Sequence, residues 1–419
     1  MGRRVVSRRE FLGRAGACGL AAGCACVAGA ALPELIDALL AAPAAPPPGP
    51  GGTALAELLR TAPVARYWAA AGDPAAKCTS CHGPGTVSGK PPKHAPGLVQ
   101  CLLCARGCAL AEGERGDCGA RLNRGGKLRS LVYGRPVAVH VDPIEKKPFY
   151  HFLPGSQAYS LATAGCPLHC RFCQNWEISQ SRPEDHAAAF VPPTQVVRDA
   201  ADRRAPVIAF TYNEPTVFTE YLTDVAREAR PRWLRSVIVS CGFMREAPLT
   251  EMCEVLDAIK IDLKGFGEGF YRKATRAELA PVLRSIKQVR ASGRHLEIVN
   301  LVVPTLNDSP ALLGGLCDWV AGELGPDVPL HFTRFHPDYQ LLNLPPTPVA
   351  TLTQARELAL ARGIRYAYVG NVPGHPGNHT YCPRCGKAVI RRDSMFVTEM
   401  NLNDGRCGFC AAPVAGVWS

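Results

Sequence analysis

Cys166, Cys170 and Cys173 lie within one short segment, Cys-Pro-Leu-His-Cys-Arg-Phe-Cys, directly after a predicted β-strand. Closely spaced thiolates are the ligands of iron–sulfur clusters. Three thiolates leave one iron of a [4Fe–4S] cluster without a protein ligand, so that iron can bind the amino and carboxylate groups of S-adenosylmethionine (SAM). One electron from the cluster would then break the S–C5′ bond and release a 5′-deoxyadenosyl radical. We therefore predict a catalytic [4Fe–4S] cluster here, with a zinc knuckle as the alternative.

Polar residues follow two later predicted strands, at the ends that would face this cluster. Glu214 comes after the strand over residues 207–211, and Asp262 and Lys264 lie at the end of the strand over residues 258–262. Barrels of parallel strands carry their chemistry at these carboxyl ends. The ammonium group of Lys264 can pair with the SAM carboxylate, and Asp262 is its polar partner. Further candidates for the pocket lie on or after later strands: Asn300, His331 and His336.

Short apolar segments alternate with helical segments from about residue 128 onwards. Strands are predicted over residues 159–163, 207–211, 236–240, 258–262, 296–303, 330–335 and 364–369. Helices are predicted between them, for example over residues 193–203, 217–229 and 351–362. This alternation predicts an α/β fold with a parallel sheet and right-handed crossover connections. We expect an α/β barrel or open partial barrel, with a doubly wound sheet as the alternative.

Two Cys-x-x-Cys turns near the C-terminus predict a site of a different kind. They contain four cysteines: Cys382, Cys385, Cys407 and Cys410. Two such turns together offer the four thiolates of a closed tetrahedral site. The pattern is typical of zinc ribbons and rubredoxins, so we predict Zn²⁺ here, with iron as the alternative. We expect the site to be structural, and the alternative is electron transfer to the main cluster.

A third group of cysteines precedes the predicted strands: Cys101, Cys104, Cys108 and Cys118. These four can form one four-thiolate site, for zinc or for a second cluster. Alternatively, Cys78 and Cys81 can pair with the first two of the four in a zinc-ribbon arrangement. The segment Cys78-Thr-Ser-Cys81-His82 also satisfies the attachment pattern of c-type haem. The sequence leaves these possibilities open.

The chain has 419 residues and 19 cysteines, most of them in these groups. Disulfide frameworks are typical of short secreted chains, whereas Cys-x-x-Cys clusters in a chain of this size indicate metal binding. Cys241, Cys253 and Cys317 stand alone and are interpreted as ordinary thiols. The formal net charge is +11, but the sequence has no Lys/Arg block with interleaved aromatic residues, which argues against nucleic-acid binding.

The N-terminal residues predict two segments outside the folded part. Residues 7–13, Ser-Arg-Arg-Glu-Phe-Leu-Gly, and the uncharged stretch after them indicate a twin-arginine export signal over residues 1–40. Residues 41–54 form a Pro-rich linker. The remainder divides into a Cys-rich metal-binding region (55–127), the α/β domain (128–375) and a C-terminal metal-binding module (376–419). The signal indicates export or membrane association, whereas SAM and its electron donors favour the cytoplasm, so the localisation stays open.

Several further motifs accompany the cluster segment and its Phe172: Cys101-Leu-Leu-Cys104-Ala-Arg-Gly-Cys108, Gly116-Asp-Cys-Gly-Ala-Arg121, Phe210-Thr-Tyr-Asn-Glu-Pro215, Lys260-Ile-Asp-Leu-Lys-Gly265, Val303-Pro-Thr-Leu-Asn-Asp308, Leu330-His-Phe-Thr-Arg-Phe335, Tyr368-Val-Gly-Asn371 and Tyr381-Cys-Pro-Arg-Cys-Gly386. With these motifs the chain resembles, from about residue 98 to its C-terminus, the radical SAM enzymes of the AmmeMemoRadiSam system. Those enzymes are similar to pyruvate formate-lyase activases. Ser240-Cys241-Gly242 departs from the Asn-Gly that is common in that family, and the export signal and the Cys78/Cys81 pair are additions to its pattern.

This resemblance implies a partial (β/α)6-type radical SAM barrel, a [4Fe–4S] cluster and SAM. It also implies that Glu214 binds the SAM amine, because an acidic residue occupies this strand end in the activase-like branch. The Cys-rich N-terminal segment and a zinc-ribbon or rubredoxin-like module would flank the barrel. As partners the resemblance implies Memo-like and AMMECR-type proteins, beside the low-potential electron donor that the chemistry requires.

Three functions fit these observations. The first is a radical enzyme that abstracts hydrogen from an unknown small-molecule or protein substrate. The second is a glycyl-radical activase, which abstracts hydrogen from a glycine of a large partner enzyme. The third is an iron–sulfur protein for electron transfer or redox sensing, which would bind clusters without cleaving SAM. In that third case Glu214 and Lys264 would have no common purpose.

Overall fold

A computed structural model describes residues 55–70 and 97–419 of the chain. The predicted export signal, the Pro-rich linker and the haem-like motif around Cys78 and Cys81 lie outside these residues. None of the helices in the two described ranges combines the length and the apolar character that spanning a membrane requires.

The N-terminal unit contains one helix and five short strands: α1 (Leu55–Thr61), β1 (Trp68–Ala70), β2 (Val99–Cys101), β3 (Ala109–Leu110), β4 (Arg121–Arg124) and β5 (Lys127–Ser130). Strands β1, β2 and β3 pair antiparallel, and β4 and β5 form a hairpin. A small apolar core lies under these strands and includes Val99, Leu103 and Leu110. The unit therefore has a core of its own beside its cysteines.

Eight strands form the central sheet: β6 (Ala138–Pro143), β7 (Gln157–Ala162), β8 (Val207–Phe210), β9 (Arg235–Ser240), β10 (Ala258–Asp262), β11 (His295–Val302), β12 (Leu330–Arg334) and β13 (Ala367–Gly370). Their order in the sheet follows the chain. Every pair from β7 to β13 is parallel, whereas β6 pairs antiparallel with β7. Within the described residues no strand pair joins β6 to β13, so the sheet is open between its two edges. The predicted α/β fold with a parallel sheet is confirmed.

The connections between the strands contain eight helices: α2 (Trp176–Ser179), α3 (Pro193–Asp202), α4 (Thr219–Ala229), α5 (Glu246–Val255), α6 (Glu268–Phe270), α7 (Leu279–Ala291), α8 (Pro310–Leu324) and α9 (Val349–Ala361). Each predicted strand is present, and its ends differ from the prediction by at most three residues. The sequence does not predict β6, whose few residues include the polar side chains of His140 and Asp142 and end at Pro143.

The two faces of the sheet bury different side chains. One face is covered by the longer helices, and the two together bury one continuous apolar core. The other, inner face carries small and apolar residues of β7 to β10: Ala158, Val207, Ala209, Val237 and Ala258. These side chains share one cluster with Ile144, Phe149 and Phe152 from the segment between β6 and β7. The sheet therefore curves around that segment.

Glu297 in β11 is fully buried on the inner face. Its carboxylate accepts hydrogen bonds from the backbone N–H groups of Tyr150 (3.0 Å) and His151 (2.8 Å). The ring nitrogens of His295 and His331 lie 3.0 and 2.7 Å from the same carboxylate. Burial alone would favour the neutral acid, but the two histidines hold the pKa of Glu297 well below its usual value. One carboxylate thus connects β11, β12 and the segment after β6.

Replacing Glu297 by Gln is expected to destabilise the protein by about 3 kcal/mol, because the amide NH2 group would face donors that need an acceptor. A carboxylate whose folded-state pKa is depressed stabilises the folded protein above its unfolded pKa of about 4.3, and this contribution is lost as the pH falls below that value. The free energy of unfolding of the variant should therefore also depend less on pH in the acid range than that of the wild type. Denaturant unfolding at about pH 7 and about pH 2.5 measures both effects, because most of the contribution is lost well below the unfolded pKa. The exposed Glu357 provides the control Glu357→Gln, and equal stability of the two variants would contradict the account.

The C-terminal residues form a module of five short strands: β14 (Thr380–Tyr381), β15 (Ala388–Asp393), β16 (Phe396–Met400), β17 (Leu402–Asn403) and β18 (Arg406–Cys407). The first three make an antiparallel sheet, and the last two form a hairpin. The module packs against β13 in an apolar cluster that includes Tyr366, Tyr368, Val389 and Ile390. The four cysteines of the two predicted metal-binding turns lie in this module.

The N-terminal unit packs on helices α4 and α5. Arg121 and Glu220 form a buried ion pair with two hydrogen bonds of 2.6 and 2.7 Å. Arg66 pairs with Asp224 at 2.9 Å. A backbone bridge joins Cys104 to the loop after β9. These contacts place the N-terminal cysteines at the carboxyl edge of the central sheet.

Candidate functional site

The three catalytic cysteine candidates lie in the loop between β7 and α2, at the carboxyl end of the sheet. Cys170 is buried, and Cys166 and Cys173 are half-buried. The three thiols are close enough that a negative charge on one raises the pKa of another. Burial is the larger cause and, together with these charges, raises the pKa of Cys170 to about 12. A raised pKa means that the protein alone disfavours the charged thiolate. A positively charged metal centre would therefore stabilise these thiolates strongly.

Backbone hydrogen bonds and an aromatic contact fix this loop. The N–H groups of His169 and Arg171 each donate at 3.0 Å to carbonyl groups of the π-helical turn Tyr271–Thr275. The ring of Phe172 stacks on that of Phe270, with 6.0 Å between ring centres. Phe172, which the sequence links to the cluster signature, thus anchors the loop in the apolar core.

Glu214 follows β8 and is buried beside this loop. Its Oε1 atom accepts hydrogen bonds from the N–H (3.1 Å) and hydroxyl (2.5 Å) of Thr216 and from the hydroxyl of Ser240 (2.7 Å). Its Oε2 atom accepts from the N–H of Cys241 at 2.7 Å. After burial, the charge of Glu214 is the next cause that raises the pKa of Cys166. The amide of the preceding Asn213 donates to the carbonyl of Gly165 at 2.9 Å, which places Glu214 near Cys166.

Asp262 and Lys264 lie at the end of β10, beside Cys170. The ammonium groups of Lys264 and the buried Lys260 donate to the two oxygens of Asp262, at 2.7 and 2.5 Å. Burial opposes the charge of Asp262, but these two ammonium groups lower its pKa to about 2. Burial likewise opposes the charge of Lys264, but Asp262 and Cys170 hold its pKa above the usual value. Asp262 thus orients a charged Lys264 near the cysteine loop.

Asn300 does not lie on the inner face. Alternate residues of a strand point to opposite faces, and Asn300 shares its face with Ile298 and Val302, whose side chains belong to the helix-covered core. Its amide group donates to the carbonyl of Leu263 at 2.8 Å. The structure therefore places Asn300 behind the strand end that carries Lys264, where it supports the backbone of that strand end.

The two histidine candidates differ in their surroundings. His331 is buried on the inner face, where its hydrogen bond to Glu297 occupies Nε2. Burial lowers the pKa of His331. His336 follows β12 and is exposed, with Nδ1 at 3.0 Å from the carbonyl of Pro337. Glu297 and Pro337 are thus hydrogen-bond partners of the two rings, and neither partner belongs to the cysteine loop.

The structure identifies two residues at the site that the sequence does not predict. The amide of Asn213 donates to the carbonyl of Gly165 at 2.9 Å, and its buried Oδ1 atom has no hydrogen-bond partner among the described residues. Ser240 donates to Glu214 from the segment that departs from the family pattern. Both lie within motifs that the sequence singles out, but the sequence does not indicate their contacts.

A second cluster of polar side chains lies on the inner face around Asp142 of β6. Asp142 accepts hydrogen bonds from Lys146 and Lys147, both at 2.8 Å, and from the hydroxyl of Tyr212. The ammonium of Lys147 also lies 4.9 Å from the centre of the Tyr212 ring. Burial is the main cause that lowers the pKa of Lys147 to about 8. Because Tyr212 closely precedes Glu214 in the loop after β8, this group lies close to the cysteine loop.

The four C-terminal cysteines converge in one tight cluster. Their four Sγ atoms lie within 4.8 Å of one another, with 3.6 Å between Cys382 and Cys410 and 3.7 Å between Cys385 and Cys407. A tetrahedral ion with metal–sulfur bonds of about 2.3 Å separates its sulfurs by about 3.8 Å. The predicted four-thiolate site is therefore present and fits a single metal ion. Zinc and iron both use this geometry.

The three thiols of the main cysteine loop are not arranged for a single ion. Throughout the described ranges, the C-terminal group is the one set of three or more ligand atoms that all lie within 4.8 Å of one another. Cys166, Cys170 and Cys173 are therefore further apart than one ion requires. A [4Fe–4S] cluster binds each thiolate at a different iron, so it needs this wider spacing. The unpartnered Oδ1 atom of Asn213 is a further polar group at the site.

Comparison with known proteins identifies the central part of the chain. Residues 160–312 match the family model of the Radical SAM superfamily. This range begins in β7 and ends in α8, so it contains the cysteine loop, Glu214 and Lys264. An uncharacterized protein from Methanocaldococcus jannaschii is 42% identical over 318 residues, which cover 75% of this chain and 95% of that protein.

Similarity to solved structures is partial and low in sequence identity. A domain of a pyruvate-formate lyase-activating enzyme from Bacteroides vulgatus is 15% identical and covers 39% of this chain and 98% of that chain, with a TM-score of 0.35. SuiB from Streptococcus suis, bound to S-adenosylmethionine, is 12% identical. The match covers 54% of this chain and 53% of that chain, with a TM-score of 0.41. A radical SAM methyltransferase from Sphaerobacter thermophilus is 15% identical. The match covers 52% of this chain and 67% of that chain, with a TM-score of 0.41.

Proposed function

Because this chain belongs to the radical SAM superfamily, we propose that Cys166, Cys170 and Cys173 hold a [4Fe–4S] cluster and that the protein cleaves SAM. When bound, the cluster supplies the single electron that splits SAM into methionine and a 5′-deoxyadenosyl radical. The radical then abstracts a hydrogen atom from a small-molecule or protein substrate. The chain's own residues bind and orient SAM for this reaction.

The observation that carries this proposal is a pair of opposite charges beside the three thiols. Glu214 lies near Cys166, because the preceding Asn213 donates to the carbonyl of Gly165. Lys264 lies near Cys170, because its N–H donates to Tyr271 of the turn that accepts hydrogen bonds from His169 and Arg171. The methionine part of SAM carries an ammonium and a carboxylate, which are complementary to these two groups. We therefore assign the SAM ammonium to Glu214 and the SAM carboxylate to Lys264. A zinc knuckle or an electron-transfer protein would not need such a pair.

Hydrogen bonds orient Glu214 and Lys264 for these roles. Thr216, Ser240 and Cys241 donate hydrogen bonds to the carboxylate of Glu214 and fix its position. Lys264 has three ammonium protons, of which one points to Asp262. The carbonyl of Lys264 accepts a hydrogen bond from Asn307 at 2.7 Å, which fixes its backbone. Lys264 thus keeps hydrogen-bonding capacity for a ligand, and the position of Glu214 is fixed.

We further propose that the protein acts in the AmmeMemoRadiSam system, with Memo-like and AMMECR-type proteins as partners and a low-potential electron donor. The family motifs support this assignment, and two of them meet where Asn307 donates to Lys264. In this assignment β7 to β12 are the partial (β/α)6 barrel of the superfamily, with β6 and β13 added at its edges. The C-terminal four-thiol site is then a zinc ribbon.

A glycyl-radical activase is the second candidate, and the open sheet favours it. An activase must admit a glycine-containing segment of its partner to the site of the radical. The described strands leave the sheet open between β6 and β13, and Val139 and His140 on β6 are exposed. A glycyl radical that forms on a large partner enzyme, in the presence of this protein and SAM, would support this candidate over the first.

Production of 5′-deoxyadenosine tests the proposed function. The anaerobically reconstituted and reduced protein is expected to release it from SAM, and Cys173→Ala should lower the rate by about 1000-fold or more, because one ligand of the cluster is lost. Cys253 is a buried thiol outside all the clusters, so Cys253→Ser is the control that should keep the wild-type rate. A protein that holds its cluster but does not bind SAM would contradict the proposal and favour an electron-transfer function.

A further inference from the structure

The four N-terminal cysteines converge on one place in the fold: Cys101, Cys104, Cys108 and Cys118. The first two are buried and the last two are half-buried. After burial, charges on the other three thiols raise the pKa of Cys104, and charges on Cys101 and Cys108 raise the pKa of Cys118. A Cβ atom on Gly116 would lie 4.0 Å from the sulfur of Cys108 and 3.8 Å from that of Cys118. The N–H of Cys101 also donates to the carbonyl of Cys108 at 2.8 Å, so the four cysteines lie close together.

The spacing of the four sulfurs differs from that of the C-terminal site. All four cysteines are described by the structure, yet no three of their sulfurs lie within 4.8 Å of one another. The C-terminal sulfurs, in contrast, approach to 3.6 and 3.7 Å. A single ion requires sulfurs about 3.8 Å apart, whereas an iron–sulfur cluster holds its thiolates at separate irons. The spacing of the four N-terminal sulfurs is therefore wider than a single zinc ion requires.

The N-terminal site contacts the loop that carries the first cluster. The carbonyl oxygen of Cys118 lies so close to Gly165 that a Cβ atom there would be 2.3 Å from it. Gly165 directly precedes Cys166, so backbone contact joins the ligand loops of the two sites. On another side, Cys104 forms a backbone bridge with Met244, in the loop whose Cys241 N–H donates to Glu214.

Polar side chains from between the N-terminal cysteines reinforce this contact. The guanidinium of Arg106 donates to the carbonyl of Pro167 at 2.6 Å. Asp117 lies 3.1 Å from the ring of His169, and it also pairs with Arg106 at 3.0 Å. Pro167 and His169 both belong to the segment from Cys166 to Cys173. One layer of hydrogen-bonded protein thus separates the two groups of thiols.

We propose that the four N-terminal thiolates bind a second [4Fe–4S] cluster and that this cluster delivers electrons to the first. A low-potential one-electron donor protein, a ferredoxin or a flavodoxin, is oxidised by one electron and reduces the second cluster. The second cluster returns to its oxidised state when it reduces the first, and cleavage of one SAM consumes the electron. The delivery step rests on the proposed function, whereas the presence of the second cluster does not.

Iron and sulfide analysis of the full chain tests the second cluster directly. The wild-type protein should hold about eight sulfides per chain, and the triple variant Cys166→Ala/Cys170→Ala/Cys173→Ala about four. The complementary double variant Cys104→Ser/Cys118→Ser should also hold about four. Cys407→Ser and Cys253→Ser are the controls and should keep all the sulfide. About four sulfides in the wild type, with zinc at the N-terminal cysteines, would overturn the proposal even if one variant failed to fold.

The source of electrons tests the delivery step. With a ferredoxin or flavodoxin as donor, Cys104→Ser/Cys118→Ser should lose about tenfold or more of the rate of 5′-deoxyadenosine production. With dithionite, a small reductant that can reach the first cluster directly, the loss should stay within about twofold. Equal losses with both reductants would overturn electron delivery. A wild-type protein with two clusters that cleaves no SAM with either reductant would contradict the proposed function and support the second cluster.

Discussion

Replacing Glu214 by Gln is expected to lower the rate of SAM cleavage about 100-fold while the iron content stays at the wild-type level. The carboxylate accepts hydrogen bonds from Thr216, Ser240 and Cys241 and is assigned to the SAM ammonium. The amide would lose the charge and turn its NH2 group towards one of these donors. A hydrogen bond to a charged group contributes about 1.5–3 kcal/mol, and each 1.4 kcal/mol or so is a factor of ten in rate.

SAM binding by equilibrium dialysis and the rate of 5′-deoxyadenosine production should be measured in parallel on this variant. The exposed Glu246 at the start of α5 provides the control Glu246→Gln, which should bind SAM as the wild type does. Ser240→Ala removes one of the donors to Glu214 and should cause a smaller loss, about tenfold or less. Wild-type affinity for SAM in Glu214→Gln would show that this carboxylate only supports the loop.

Gly165→Ala is expected to destabilise the protein by about 3 kcal/mol or more and to weaken iron binding at the cysteine loop. Gly165 has a φ angle of +96°, which favours glycine. Its added Cβ atom would lie 2.3 Å from the backbone oxygen of Cys118, and backbone cannot move aside as a flexible side chain can. The substitution therefore pushes apart the two cysteine loops.

A matched glycine separates the two causes of this effect. Gly363 has a φ angle of +86°, and a Cβ atom there would meet nothing within 4 Å. Gly363→Ala therefore has the backbone cost of about 1 kcal/mol without the contact. Denaturant unfolding and iron analysis of both variants measure the difference. If the two variants are equally stable and bind equal iron, the contact between Gly165 and Cys118 has no energetic role.

The sequence predicts best the features that are local in the chain. Cys166, Cys170 and Cys173 share one loop, and the C-terminal turns each bring two thiols together within four residues, so spacing alone indicates their chemistry. Glu214 and Lys264 follow from the rule that parallel strands end at one edge of the sheet. The parallel strands β7 to β13 are predictable because each is a short apolar segment between helices.

Contacts between distant segments are not predictable in this way. Glu297 accepts a hydrogen bond from His151, 146 residues earlier, and Tyr212 donates to Asp142 across 70 residues. Neither pair has a local pattern, because the partners meet only when the sheet curves around the segment after β6. Asn300 shows a second limit of prediction from sequence. The alternation of residues along β11 assigns each residue to one of two faces of the sheet, but it does not say which face the helices cover.

The central claim is that SAM binds at the cysteine loop through its amino and carboxylate groups, between Glu214 and Lys264. The most direct test is electron–nuclear double resonance on the reduced protein, with SAM that carries a magnetic nitrogen isotope in its amino group. The account predicts a coupling between this nitrogen and the cluster in the wild type, and its loss in Cys173→Ala. A reduced cluster with SAM bound to the protein but without any such coupling would contradict the account.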